Sequence, residues 1–160
     1  RRIEVGDQPW QTREETSKYT DPMPSGVARQ FTFDMEAKSL ITYPSAGHTL
    51  PAPGFYQVTG LAWSGHGSIR RVEVSSNGGR TWAAAALEEP VLPRAFTRFR
   101  FDWQWDGGAA TLQSRATDET GYVQPTREAL VAVRGLNSNY HNNSIVSWRV
   151  SPDGTVANAV

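Results

Sequence analysis

The stretch FRFDWQW, residues 99 to 105, constrains the fold more than any other part of the chain. Phe99, Phe101, Trp103 and Trp105 alternate with Arg100, Asp102 and Gln104. A strand sends successive side chains to opposite faces, so this period places four aromatics on a buried face and the polar residues in water. The same period predicts a strand over 31–38, where Phe31, Phe33, Met35 and Ala37 alternate with Thr32, Asp34, Glu36 and Lys38. FYQVTGLAW (55–63), IRRVEVS (69–75), RTWAAAAL (80–87), ATLQSRATD (110–118) and SIVSWRV (144–150) read as further strands. The alanines of RTWAAAAL favour helix, but so short a run cannot sustain one.

Turn chemistry separates these segments. PSAGHTLPAPG (44–54) breaks the first strand, SNGG (76–79) predicts a tight hairpin, and Asp106-Gly107-Gly108 and Pro152-Asp153-Gly154 mark further reversals. About seven short strands with turns between them, and no convincing helix, predict an all-β sandwich. Residues 1–30 hold Pro9, Pro22, Pro24 and Gly26 without a sustained period, which predicts an extended lead-in to a domain over 31–160.

The chain has 160 residues, enough for one domain that buries roughly 70% of its unfolded surface without metal or disulfide. It has no cysteine, which excludes thiolate chemistry and cysteine-based metal sites. Lysine plus arginine and aspartate plus glutamate balance at 16 each, against the cationic excess of a nucleic-acid or anionic-membrane binder. Lys18 and Lys38 are the only lysines. The arginine bias fits oxyanion binding, and it fits a GC-rich genome equally. No apolar run approaches the ~20 residues of a membrane span. The chain opens Arg1-Arg2-Ile3 without an initiator methionine, and is expected to be a piece of a longer polypeptide.

His48, His66 and His141 lack partners at ligand-like spacing, which predicts no metal site. No Gly-x-Ser-x-Gly elbow or phosphate-binding loop is present. Glu14-Glu15 and Glu88-Glu89 read as solvated surface, and Asp118 as a turn residue bonded to local backbone. Trp63, Trp82, Trp103, Trp105 and Trp148 read as core or inter-sheet contacts, with a carbohydrate platform as the alternative; Trp10 lies in the lead-in. Asn142-Asn143-Ser144 is a formal glycosylation triplet of the kind that arises by chance. One segment breaks the strand pattern: RGLNSNYHNN, residues 134 to 143.

The pair IRRVEVSSNGGRTWAAAAL and RATDETGYVQP (115–125) resembles the C-terminal domain of the sulfite-oxidase family of molybdenum enzymes. The lead-in RRIEVGDQPWQTREETSKYT and the segment RGLNSNYHNNSIVSWRV resemble its sulfane dehydrogenase branch, found in the Sox thiosulfate-oxidising system. The resemblance implies an immunoglobulin-like (E-set type) sandwich that mediates homodimerisation. It also implies a molybdopterin-binding domain upstream, a cytochrome c partner and a periplasmic location, with no activity from this chain alone. Arg134-Gly135 matches the family's Arg-Gly motif, whose arginine binds a sulfur oxyanion in the molybdenum pocket. A guanidinium suits that role, being always charged and meeting an oxyanion with two hydrogen bonds. Gly135 would let the backbone take an unusual φ. Asn139 and His141 are the further candidate substrate-binding residues.

The pattern departs from sulfite oxidases proper. A Trp-Asn pair commonly precedes the arginine there, whereas Val131-Ala132 stands before Arg134 here, and the polar residues become Asn137, Asn139, His141 and Asn142. That favours the sulfane branch over free sulfite. The competing readings are a stand-alone immunoglobulin-like module for carbohydrate or protein, and a sandwich without ligand in which Arg134 makes only an ion pair.

Overall fold

The computed structural model describes residues 2–8, 10–30, 34–136 and 141–159. Thr12 caps a short helix α1 (Arg13–Lys18), and a hairpin of β1 (Thr20–Pro22) and β2 (Ala28–Gln30) follows. The lead-in is thus more structured than its prolines and missing period predict. Thr12 accepts a bond from Glu15 N and Lys18 pairs with Glu14 one turn away, so local polar bonds form the helix without an apolar face.

The remaining strands make two antiparallel sheets packed as an immunoglobulin-like sandwich. One has four strands: β3 (Lys38–Tyr43), β4 (Gly54–Trp63), β7 (Ala86–Leu87) and β8 (Thr97–Trp105), in the order β3-β4-β8-β7. The other comprises β5 (Ile69–Ser75), β6 (Ala83–Ala84), β9 (Ala110–Asp118), β10 (Ser147–Val150) and β11 (Val156–Asn158), in the order β11-β10-β9-β5-β6. The inward residues of both sheets meet in one core that includes Val58, Phe99, Trp105, Val72, Leu112 and Val150. In FRFDWQW, Phe99, Trp103 and Trp105 are buried and Phe101 is half-buried, while Arg100, Asp102 and Gln104 are exposed, as the alternation predicts. Trp63, Trp82 and Trp148 are half-buried, and Trp10 is exposed.

Four sequence expectations need correction. The strand predicted over 31–38 begins only at Lys38 and runs to Tyr43; residues 34–37 are not strand, and 31–33 lie outside the described residues. Gly65 N and the Asn143 side chain donate to the carbonyls of Met35 and Ala37, drawing this backbone toward loops. SNGG is not a two-residue turn, because pairing begins at Val74↔Ala83. Gly78 and Gly79 take positive φ there, while the Asn77 side chain ties Ser75 to Thr81. RTWAAAAL is two strands, since β6 pairs with β5 and β7 with β8, and the chain crosses between sheets at Ala85. The predicted strand over 144–150 pairs only from Ser147, because Ile145 N bonds Pro125 O instead.

The expectation of no helix fails where it matters most. Helix α2 (Arg127–Arg134) starts at Thr126, whose hydroxyl accepts from Ala129 N, and stops at Gly135, whose φ of 79° ends the helical run. Leu130 and Arg134, one turn apart, form its buried face. Among the described residues no helix is long and apolar enough to cross a membrane.

Candidate functional site

Arg134 closes α2 with its side chain inside the protein, only 2% exposed. Its Nη2 lies 3.5 Å from Glu36 Oε2, and among the described residues Nη1 is buried without a hydrogen-bond partner. His141 is buried at the other end of RGLNSNYHNN, and its Nε2 lies 3.0 Å from the same Glu36 oxygen. Tyr122 Oη donates to Glu36 Oε2 at 2.9 Å, and Asn143 Nδ2 donates to Tyr122 Oη at 3.2 Å. One carboxylate oxygen therefore gathers groups from α2, from the turn after β9 and from the segment before β10. Gly135 sits beside Pro22 O and Met23 of the β1–β2 hairpin, and Arg29 of that hairpin donates to Val133 O, capping the end of α2. Asn139 lies outside the described residues.

The electrostatics follow from this crowding. Burial pushes the Glu36 carboxyl up, but the Tyr122 hydrogen bond and the neighbouring His141 and Arg134 outweigh it and hold it below the usual range. Burial and the Arg134 charge hold His141 low against the opposing pull of Glu36. At neutral pH the His141–Glu36 contact is therefore a hydrogen bond from a neutral imidazole, and Arg134 is the fixed charge. Lys38, whose ammonium donates to Asn142 O, is held low by burial.

Arg134 and His141, singled out in the sequence, thus come together, while Glu36 and Tyr122 were not seen as site residues. The alternation puts Glu36 on the watered face of a strand, whereas the strand starts two residues later, at Lys38. Asn143 was seen only inside the triplet, where Asn142 Oδ1 in fact accepts from Ser144. Asp118 fills the turn role expected of it, accepting from Thr120, Tyr122 and Ser64. A cavity of about 750 Å³ adjoins the start of α2 and the segment before β10, lined by residues that include Trp82, Arg115, Gln124, Glu128, Asn142 and Ser147; neither Arg134 nor His141 lines it.

Residues 29–147 match the Mo-co oxidoreductase dimerisation domain. The chain belongs to that family. The dimerisation domain is 46% identical to sulfite oxidase of Gallus gallus over 117 residues, covering 66% of this chain and 24% of that protein. It is 32% identical to an NADH nitrate reductase of Hordeum vulgare over 111 residues, covering 59% of this chain and 12% of that protein. The crystal structure of the sulfane dehydrogenase SoxCD from Paracoccus pantotrophus superposes with a TM-score of 0.88 at 54% identity, over 93% of this chain and 39% of that one. The chain therefore spans well under half the length of these relatives. The stand-alone carbohydrate- or protein-binding module finds no support in these matches. The family serves molybdenum-cofactor enzymes whose cofactor lies in another domain. The described residues do not fit a molybdenum centre themselves: no three His, Cys, Asp or Glu side chains converge, and the chain has no cysteine thiolate to offer.

Proposed function

We propose that this chain is the dimerisation domain of a molybdopterin-dependent, sulfur-compound-oxidising enzyme, and that Arg134 binds the sulfur oxyanion at the active site of the full-length protein. What carries this reading is the state of Arg134. A buried guanidinium needs its donors satisfied, yet it has one long contact and a second terminal nitrogen with no described partner. An oxyanion presented by a neighbouring domain would supply the missing acceptor. The likeness to a sulfane dehydrogenase favours a sulfane or related sulfur substrate. The dimerisation family supports a homodimer, and we propose further that the whole enzyme is periplasmic and has a cytochrome c partner.

The Glu36 contact favours a second reading, in which Arg134 only anchors the segment after α2. One experiment separates the two. In the full-length enzyme, Arg134→Ala raises KM for the sulfur substrate by about ten- to hundredfold, the loss of a charge-assisted contact of roughly 1.5–3 kcal/mol. Unchanged KM with intact molybdenum content leaves Arg134 as an anchor.

A further inference from the structure

Glu36 lies in a stretch without regular structure between the lead-in and β3, yet its side chain is the point where three other segments meet. Arg134 Nη2, His141 Nε2 and Tyr122 Oη all address the single oxygen Oε2, at 3.5, 3.0 and 2.9 Å. Its own backbone is drawn into the arrangement, because the next carbonyl, of Ala37, accepts from Asn143. Tyr122 accepts from Asn143 and donates to Glu36, so one hydrogen-bond chain runs from the segment before β10 to the carboxylate. A guanidinium held by one nitrogen presents its other edge in a fixed direction, because its nitrogens are coplanar.

We propose that Glu36 is the positioning residue for Arg134: it holds Nη2 at 3.5 Å and leaves the buried Nη1 as the donor that still lacks an acceptor among the described residues. This rests on the oxyanion role of Arg134 proposed above and adds to it the residue that sets the geometry. Glu36 touches no substrate and acts only through Arg134. A carboxylate beside an anion-binding arginine also opposes the anion by its charge. With Arg134 buried, orientation outweighs that repulsion, because a guanidinium released from its only described ion pair must leave the buried position. His141 and Tyr122 hold the carboxylate from the other sides, so that it follows neither the arginine nor solvent.

The test is a double-substitution cycle in the full-length enzyme, read as KM and kcat separately, with molybdenum content and thermal unfolding recorded for every variant. Glu36→Gln keeps the size and removes the charge. It is expected to raise KM about ten- to hundredfold, as a misplaced binding group does, while kcat changes little. Glu36→Asp, which keeps the charge, restores part of the loss. On an Arg134→Ala background, Glu36→Gln adds no further rise in KM, because its effect passes through the arginine. Should Glu36→Gln fail to fold, Tyr122→Phe loosens the carboxylate without changing charge, and gives a smaller rise that also vanishes on the Arg134→Ala background. Effects that add on that background overturn the proposal, as does a KM that falls on removing Glu36, or a change confined to the unfolding temperature. If Arg134→Ala itself leaves KM unchanged, the oxyanion role fails first. If Arg134→Ala raises KM and neither Glu36→Gln nor Tyr122→Phe does, only the positioning role fails.

Discussion

The amide of Gln124 is bonded at both ends inside the sandwich. Its oxygen accepts from Ser39 N at 2.9 Å, Ser39 Oγ at 2.8 Å and Ala116 N at 3.1 Å, and its nitrogen donates to Ser144 O at 3.2 Å. Gln124 is only 2% exposed, so its amide depends on these partners. A single side chain thus joins β3, β9 and the segment that leads into β10. Gln124→Leu keeps much of the volume and strands several buried polar groups, at about 1–3 kcal/mol for each one left unsatisfied. The variant should lose roughly 2–4 kcal/mol of unfolding free energy in a urea titration of the chain, and a loss under about 0.5 kcal/mol would show that the network relaxes at no cost. Gln124 was visible in the sequence only as part of RATDETGYVQP, a motif, and not as a bond-maker. Periodicity marks which residues are buried, as at Phe99, Trp103 and Trp105, but it does not report the partners of a buried polar one.

At the scale of elements, α2 is the segment on which the site depends and the one that strand periodicity hides. Its signals are local: Thr126 as cap, Glu128 in the first turn, Gly135 at the end. The eight residues are bracketed by strands and carry an arginine on the buried face, so the apolar pattern that marks a longer helix is missing. That arginine, with Glu36, also makes the join between α2 and the 141–144 segment sensitive to acid. The groups facing Glu36 are Arg134, His141 and Tyr122, with Arg29 close enough to act on His141. His141 has a lowered folded pKa, so between that value and its ordinary 6.5 the unfolded chain binds the proton and the folded one resists it. Glu36 is also lowered; the stability it contributes is present above the ordinary carboxylate range and lost as pH falls through its folded pKa. Stability should therefore decline in two stages as pH falls, first from about 6.5 and again in the carboxylate range. His141→Gln should flatten the first stage and keep the second. Chemical unfolding at closely spaced pH values checks this, and a first stage that survives in His141→Gln would sink the assignment.

For the whole molecule, the sandwich was legible from its strands and turns, whereas its closure was not. Open strand edges invite a second copy to pair, and the structure blunts them. β6 and β7 are two residues each, the Trp148 indole donates to Ile41 O across the gap beside β3, and Gly47 and His48 bond Val156 at the start of β11. Crossing at Ala85 and bridging through Trp148 are long-range events, which no local pattern encodes. A dimer of this domain is therefore expected to meet through a sheet face or loops. A stable one needs about 800 Å² from each partner, a small share of the 9860 Å² surface. The charges balance at 16 of each sign, so no long-range field drives two copies together or apart. Association through a packed face should therefore respond weakly to salt. In sedimentation runs over a range of concentrations, the dimer Kd should change less than about threefold between roughly 0.05 and 0.5 M sodium chloride, over which screening lengths shrink several-fold. A dimer that falls apart across this range is held by surface ion pairs, and a chain that stays monomeric throughout requires its neighbouring domain to complete the contact.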